Sequence, residues 1–156
     1  MLTCSTEIID QTLAHIHAGG KNNCETAVLW LGRRSAEHQE VQEVQEVQEV
    51  FRPQQIVDVD YFRIPPEGMR ALLAHLRQRR LHILGQVHSH PELAFHSKAD
   101  NEWAIVRHLG AVSLVVPWFG AQTHPVSFLD DIAAFQLDER DQWRKVPARS
   151  ILTVRI

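Results

Sequence analysis

Apolar and polar positions fall into helical and strand periods along most of the chain. In residues 6–17 (TEIIDQTLAHIH), Ile8, Ile9, Leu13 and Ile16 recur at helical spacing, and Gly19-Gly20 close the segment. Residues 24–32 (CETAVLWLG) form a short apolar run suited to a buried strand. Residues 56–64 (IVDVDYFRI) alternate with a period of two, as a strand does, and Pro65-Pro66 end them and open a helix over about 67–80. On that helix Met69, Leu72, Leu73 and Leu76 make one stripe. Arg77, Arg79 and Arg80 stand at its C-terminal end, where the macrodipole favours cations. Residues 81–91 (LHILGQVHSHP) read as a strand ending in proline. A further helix over about 97–109 carries Trp103, Val106 and Leu109 on one side, and 111–119 (AVSLVVPWF) reads as a central strand. The last forty residues suggest two antiparallel strands, around VSFLDD and IAAFQL, and then a tail.

One stretch fits neither period. Val41, Val44, Val47 and Val50 recur every third residue in VQEVQEVQEV, so they cannot share one face of a helix or a strand. About 37–50 therefore reads as a low-complexity expansion in a surface connection, frayed helix or loop, which costs little closure entropy. The remaining order, strands interleaved with helices, packs as a sheet with helices on its faces: one α/β or α+β domain over 1–156.

Composition narrows the function. Sixteen Lys/Arg against nineteen Asp/Glu leave a net charge of −3, which argues against a protein that grips nucleic acid through its phosphates. No apolar run reaches the roughly 20 residues that cross a bilayer. The opening MLTCSTEIID lacks the basic and apolar regions of a secretory signal, so a cytoplasmic location is the default expectation. With cysteines only at 4 and 24, a disulfide framework, a cysteine zinc site and the PCxxC pair of zinc deaminases are all absent. No P-loop, GxGxxG or GxSxG occurs. The unusual count is ten histidines.

The informative segment is HSHPELAFHSKAD, residues 88–100. His88 and His90 stand two apart at the end of a strand, on one face, about 7 Å apart along it. Asp100 follows in the first turn of the next helix, whose start, Ser97 with an acid three residues on, resembles a capping box. A loop that folds this carboxylate back onto the two imidazoles makes an open zinc site with a vacant fourth position. The same residues also suit a surface HxH and an ordinary helix start. His96 reads as a solvated loop residue, a substrate contact or a spare ligand. Asn101 and Trp103 read as packing beneath the site.

The conjunction of HxHP, Ser97 and Asp100 resembles the signature of the JAMM/MPN metalloprotease family, in which HxHP is followed by SxxD. Glu25, with Gly32 seven residues later, matches that family's upstream glutamate. The likeness spans roughly residues 5–140 and implies a cytidine-deaminase-like fold, a mixed central sheet flanked by helices. It implies that His88, His90 and Asp100 bind zinc and that Glu25 is the general base. Ser97 would stabilise the oxyanion. The pattern departs at one point: six residues, not seven, separate His90 from Ser97, so the loop PELAFH must tighten for the site to close. The implied activity is that of a zinc isopeptidase or peptidase acting at the C-terminal tail of a ubiquitin-like or sulfur-carrier protein, in the company of conjugation-type enzymes. The alternative is an inactive scaffold within a multiprotein complex.

Overall fold

The computed structural model describes residues 1–33 and 44–156. In chain order the elements are β1 (Leu2–Ser5), α1 (Thr6–Gly20), β2 (Ala27–Gly32), β3 (Gln45–Glu46), β4 (Glu49–Phe51), β5 (Ile56–Val57), β6 (Phe62–Arg63) and α2 (Pro66–Arg79). They continue with β7 (His82–Ser89), α3 (Lys98–Trp103), β8 (Val112–Val116), a 3-10 turn (Trp118–Gly120) and α4 (Phe128–Asp131). The last are β9 (Ala133–Leu137), β10 (Trp143–Val146), α5 (Ala148–Ile151) and β11 (Leu152–Arg155).

The main sheet has the order β10-β9-β8-β7-β2-β4 among the described residues. Only β7 and β8 run parallel in it; the other pairs are antiparallel. Strand β2 explains the layering. Its side chains alternate between two faces. Val28 and Trp30 join Ile8, Ile9, Leu13 and Ile16 of α1, while Leu29 and Leu31 meet Leu72 and Leu81 on the α2 side. Both faces are covered, so the run is continuously apolar. Trp30 finds a partner for its indole N–H in Thr12 Oγ1 (2.9 Å). Ser5 caps α1 by accepting from the Ile8 N–H. The mixed α/β architecture with a central sheet flanked by helices is the one expected.

Several local expectations are corrected. The repeat is not simply a surface loop: Gln45–Glu46 form β3 beside β1, and Glu49–Phe51 form β4 beside β2. Val47 is buried and Val50 packs against the core, whereas Val44 is exposed. Neighbouring strands on two different sheets take up what a single face could not. Val41 lies outside the described residues. Gly32 is needed here, because a Cβ on it would lie 2.2 Å from the Glu46 carbonyl oxygen.

Residues 56–64 do not make one strand. The Asp58 N–H donates to the Tyr61 carbonyl (2.9 Å), and β5 and β6 pair as a small antiparallel hairpin. Helix α3 stops at Trp103 instead of reaching Leu109. Ala104 turns extended at ψ 127°, and the Ile105 N–H donates to Gln86 Oε1 (3.0 Å), which carries the chain onto the sheet and buries Val106. The side chain of Trp103, expected to pack beneath the site, lies outside the described residues. VSFLDD is the single-turn helix α4, whose Phe128 stacks on Trp30 at 6.2 Å. β9 pairs antiparallel with β10 on one side and β8 on the other, and the tail closes as β11 parallel to β1. No described helix is long and apolar enough to cross a membrane.

Candidate functional site

Strand β7 delivers the two histidines to the same end of the sheet. His88 sits in register between Ala27 of β2 and Val115 of β8. One residue past the strand, the His90 N–H still bonds the Val116 carbonyl (2.9 Å), and the His90 carbonyl accepts from the Phe119 N–H (2.8 Å). The ring centroids of the two lie 5.1 Å apart. Between them Ser89 points the other way, fully buried, and its Oγ accepts the Thr26 N–H (3.0 Å). The Ser89 N–H returns a bond to the Thr26 carbonyl (3.0 Å).

That pair fixes the segment carrying Glu25, whose own N–H donates to the Asp58 carbonyl at the hairpin tip (2.8 Å). The end of α1 must come close for this, and a Cβ on Gly19 would lie 1.8 Å from Thr26 Oγ1. Glu25 thereby stands just ahead of β2, with Oε1 3.8 Å from His90 Nε2.

Asp100 arrives from α3. Ser97 caps that helix: its Oγ accepts the Asp100 N–H (3.1 Å), and Asp100 Oδ2 accepts the Ser97 N–H (2.8 Å), a full capping box. The six-residue loop therefore closes the site. The same Oδ2 lies 3.1 Å from His90 Nε2, and Oδ1 lies 3.2 Å from His88 Nε2, so each carboxylate oxygen meets one imidazole. All three side chains are buried, and their donor atoms lie within 4.8 Å of one another.

Electrostatics sets the members apart. Burial would raise Asp100, but the facing imidazoles of His88 and His90 and the Ser97 backbone N–H hold it well below the carboxylate range. Burial, reinforced by the nearby Asp100 and Asp60, pushes Glu25 up to about 8. Two buried carboxylates that both border the His90 imidazole are thus shifted in opposite directions.

A cation fits this donor set. Neither ring nitrogen of His88 makes a hydrogen bond of proper geometry, although the ring is wholly buried. Such orphaned nitrogens are rare unless something else uses them. Tetrahedral bonds of 2.0–2.1 Å separate ligand atoms by about 3.4 Å; each imidazole lies 3.1–3.2 Å from one Asp100 oxygen, and one donor atom from each of the three residues falls within 4.8 Å of the others.

All five expected residues come together: His88, His90 and Asp100 as one cluster, Glu25 across from His90, and Ser97 at the cap of the Asp100 helix. His96 is no solvated loop residue. Its Nδ1 lies 2.8 Å from Asn101 Oδ1 and its Nε2 3.1 Å from Ser113 Oγ, while its ring packs against Phe135 and Trp143. Burial lowers its pKa. Sequence reasoning missed Ser89 and Asp58, the clamps on Glu25. It also missed Phe62 and Phe95, whose rings lie 5.6 Å from His88 and 4.6 Å from His90. Only the position of Ser89, inside HSH on the opposite strand face, carried a signal.

Comparison with known proteins agrees with this geometry. Residues 5–129 match the family described as prokaryotic homologues of the JAB domain. A protein of Sinorhizobium fredii (strain NBRC 101917 / NGR234) named "Probable metalloprotease y4jG" is 33% identical over 147 residues, 94% of this chain and 87% of that protein. The solution structure of protein DSY2949 from Desulfitobacterium hafniense superposes with a TM-score of 0.70 at 19% identity. It covers 99% of this chain and 93% of its own, a likeness of fold. With its His-His-Asp metal site assembled as described, the chain belongs to the prokaryotic JAB-domain family and is a metallopeptidase.

Proposed function

We propose that the protein is a zinc-dependent peptidase or isopeptidase that cleaves at the C-terminal tail of a ubiquitin-like or sulfur-carrier protein. The observation that carries the catalytic half is the convergence of His88, His90 and Asp100, with Glu25 standing 3.8 Å from His90. His88, His90 and Asp100 would hold the metal, and two imidazoles with one carboxylate leave a position open for reaction. When bound, zinc supplies Lewis acidity that activates water and polarises the scissile carbonyl.

The remaining work belongs to this chain. Glu25 takes a proton at its carboxylate and returns it to the leaving amine, a role worth on the order of 10²–10⁴-fold. Burial and the facing Asp100 raise its pKa in the metal-free protein; the positive charge of a bound cation would act in the opposite sense and favour the carboxylate that accepts the proton. Ser97 accepts at Oγ in its cap, so its hydroxyl hydrogen remains available to the developing oxyanion, a donor worth about 3 kcal/mol.

The substrate half rests on the family resemblance and on the site's borders. Val59 and Tyr61 on the hairpin carrying Asp58, and Leu93 and Phe95 on the loop after His90, are exposed apolar side chains that suit an extended tail. An inactive scaffold is the contrary outcome, and retention of the full ligand set tells against it.

The test is a metal count and one substitution. The purified protein should hold close to one zinc per chain, and it should cleave a linear fusion or an isopeptide conjugate of a ubiquitin-like protein. Glu25→Gln should keep fold and metal while turnover falls at least about 100-fold. Zinc well below one per chain means a scaffold. Undiminished turnover in Glu25→Gln removes Glu25 from the mechanism.

A further inference from the structure

We propose that His96 is a positioning residue that sets the seat of α3, and through it Asp100, by closing a hydrogen-bonded circuit onto the central sheet. The inference rests on the metal-site reading of Asp100, but its first readout below does not require metal.

The circuit begins and ends on the α3 segment. Just past the helix, the Ile105 N–H donates to Gln86 Oε1 (3.0 Å) on β7. Gln86 Nε2 donates to Ser113 Oγ (3.1 Å) on β8. The direction at His96 is set from its other side: Asn101 Oδ1, next to Asp100, accepts only, so Nδ1 (2.8 Å away) carries the proton of the neutral ring and donates to it. Nε2 is then the acceptor, and the Ser113 hydroxyl, which accepts from Gln86, donates its hydrogen to it (3.1 Å). Each group acts in one direction, so the four side chains specify a single tautomer of His96.

Burial gives the circuit its weight. Gln86 and Ser113 are buried within strands of the main sheet, where a broken bond leaves a polar group without water. The His96 ring is also wedged between Phe135 of β9 and Trp143 of β10, at centroid distances of 4.8 and 5.1 Å. Both ring nitrogens are therefore committed, and His96 is not a spare ligand. From the solvent side, α3 has a separate anchor in Arg107, whose guanidinium donates to the Asn101 carbonyl (2.5 Å). Groups that hold metal ligands from behind typically change affinity by about 10–100-fold when removed.

His96→Phe keeps a ring between Phe135 and Trp143 while deleting both hydrogen bonds. In the metal-free protein, amide hydrogen exchange at Asp100 and Asn101 should speed by about tenfold, with β7 and β8 amides unchanged. Zinc affinity, measured against a chelating dye, should fall about 10–100-fold. Ser113→Ala should reproduce the loss, and the double variant should lose little more than either single one. Unchanged exchange at α3, or acceleration shared equally with the sheet, overturns the proposal. So does wild-type zinc affinity in His96→Phe, or full additivity of the two substitutions. A wild-type protein that binds no zinc defeats the metal reading instead, while the exchange measurement still decides the circuit.

Discussion

Glu25 is the residue of the site whose burial bears most directly on stability. In the metal-free protein its carboxyl titrates near 8, against 4.5 for an ordinary glutamate, chiefly because it is buried and faces Asp100. Between those values the folded state keeps a proton that the unfolded chain has released. The Glu25 contribution to stability must therefore fall as pH rises from about 4.5 to about 8. Asp100 acts in the opposite sense: its depressed carboxyl adds stability that persists down to strong acid, so it contributes no slope in this window. His15 and His96, whose pKa values burial lowers from 6.5, act in the opposite sense in part of this window, so the Glu25 share is read by comparison: in chelator-treated protein the thermal midpoint should fall more steeply with pH in the wild type than in Glu25→Gln. An identical slope in the variant would show that another group is responsible. Ser97 can be dissected in the same spirit. Ser97→Ala removes the cap and should cost about 1 kcal/mol of stability, whereas Ser97→Gly should cost only a few tenths. If the hydroxyl serves the oxyanion, turnover should fall by about 10²–10³ in both variants. Loss of turnover confined to Ser97→Ala would assign the residue to the cap alone.

At the scale of elements, the valine repeat is the sharpest case. Its period of three matches no single element, yet Val47 is buried in the main core cluster while Val44 faces solvent. Val47→Ser should therefore cost about 2 kcal/mol or more, since it puts a hydroxyl in the core, and Val44→Ser should stay within about 0.5 kcal/mol. Denaturant unfolding of the two variants reads the difference. Equal effects would mean that the repeat is not in this register. Helix α1 and strand β2 were legible because periods of 3.6 and long apolar runs report burial directly. The hairpin of β5 and β6, the early end of α3 and the single turn α4 were not. The hairpin turns on a local bond, Asp58 N–H to the Tyr61 carbonyl, which the alternation does not reveal, and the other two depend on distant partners, Gln86 for Ile105 and Trp30 for Phe128.

Across the whole molecule, the site lies where four pieces of chain separated by up to about seventy-five positions meet. β7 brings His88 and His90, α3 brings Asp100, the entry to β2 brings Glu25, and the hairpin tip holds Glu25 in place. The turn after β8 joins them: Trp118, Phe119 and Gly120 all adopt positive φ, and the Phe119 N–H bonds the His90 carbonyl. Left-handed conformations at two non-glycine residues cost on the order of 1–3 kcal/mol each. The Trp118 N–H bond to the Glu92 carbonyl (2.8 Å) and the Phe119 N–H bond to His90 offset part of that cost. A bound cation should add to stability by mass action, so zinc should raise the thermal midpoint and a chelator should lower it. A midpoint indifferent to zinc would mean that the native state does not bind it.

The sequence alone determined the chemistry on offer and its local spacing. HxHP, Ser97 and Asp100 stand close along the chain, and a strand pleat and a capping box are local devices that residue types reveal. Tertiary structure alone decided that Glu25, more than sixty residues away, faces His90, that Ser89 locks it there, and that His96 turns inward to Ser113. Those choices depend on strand register and on which buried polar groups must satisfy one another, and neither has a signature within a short stretch of chain.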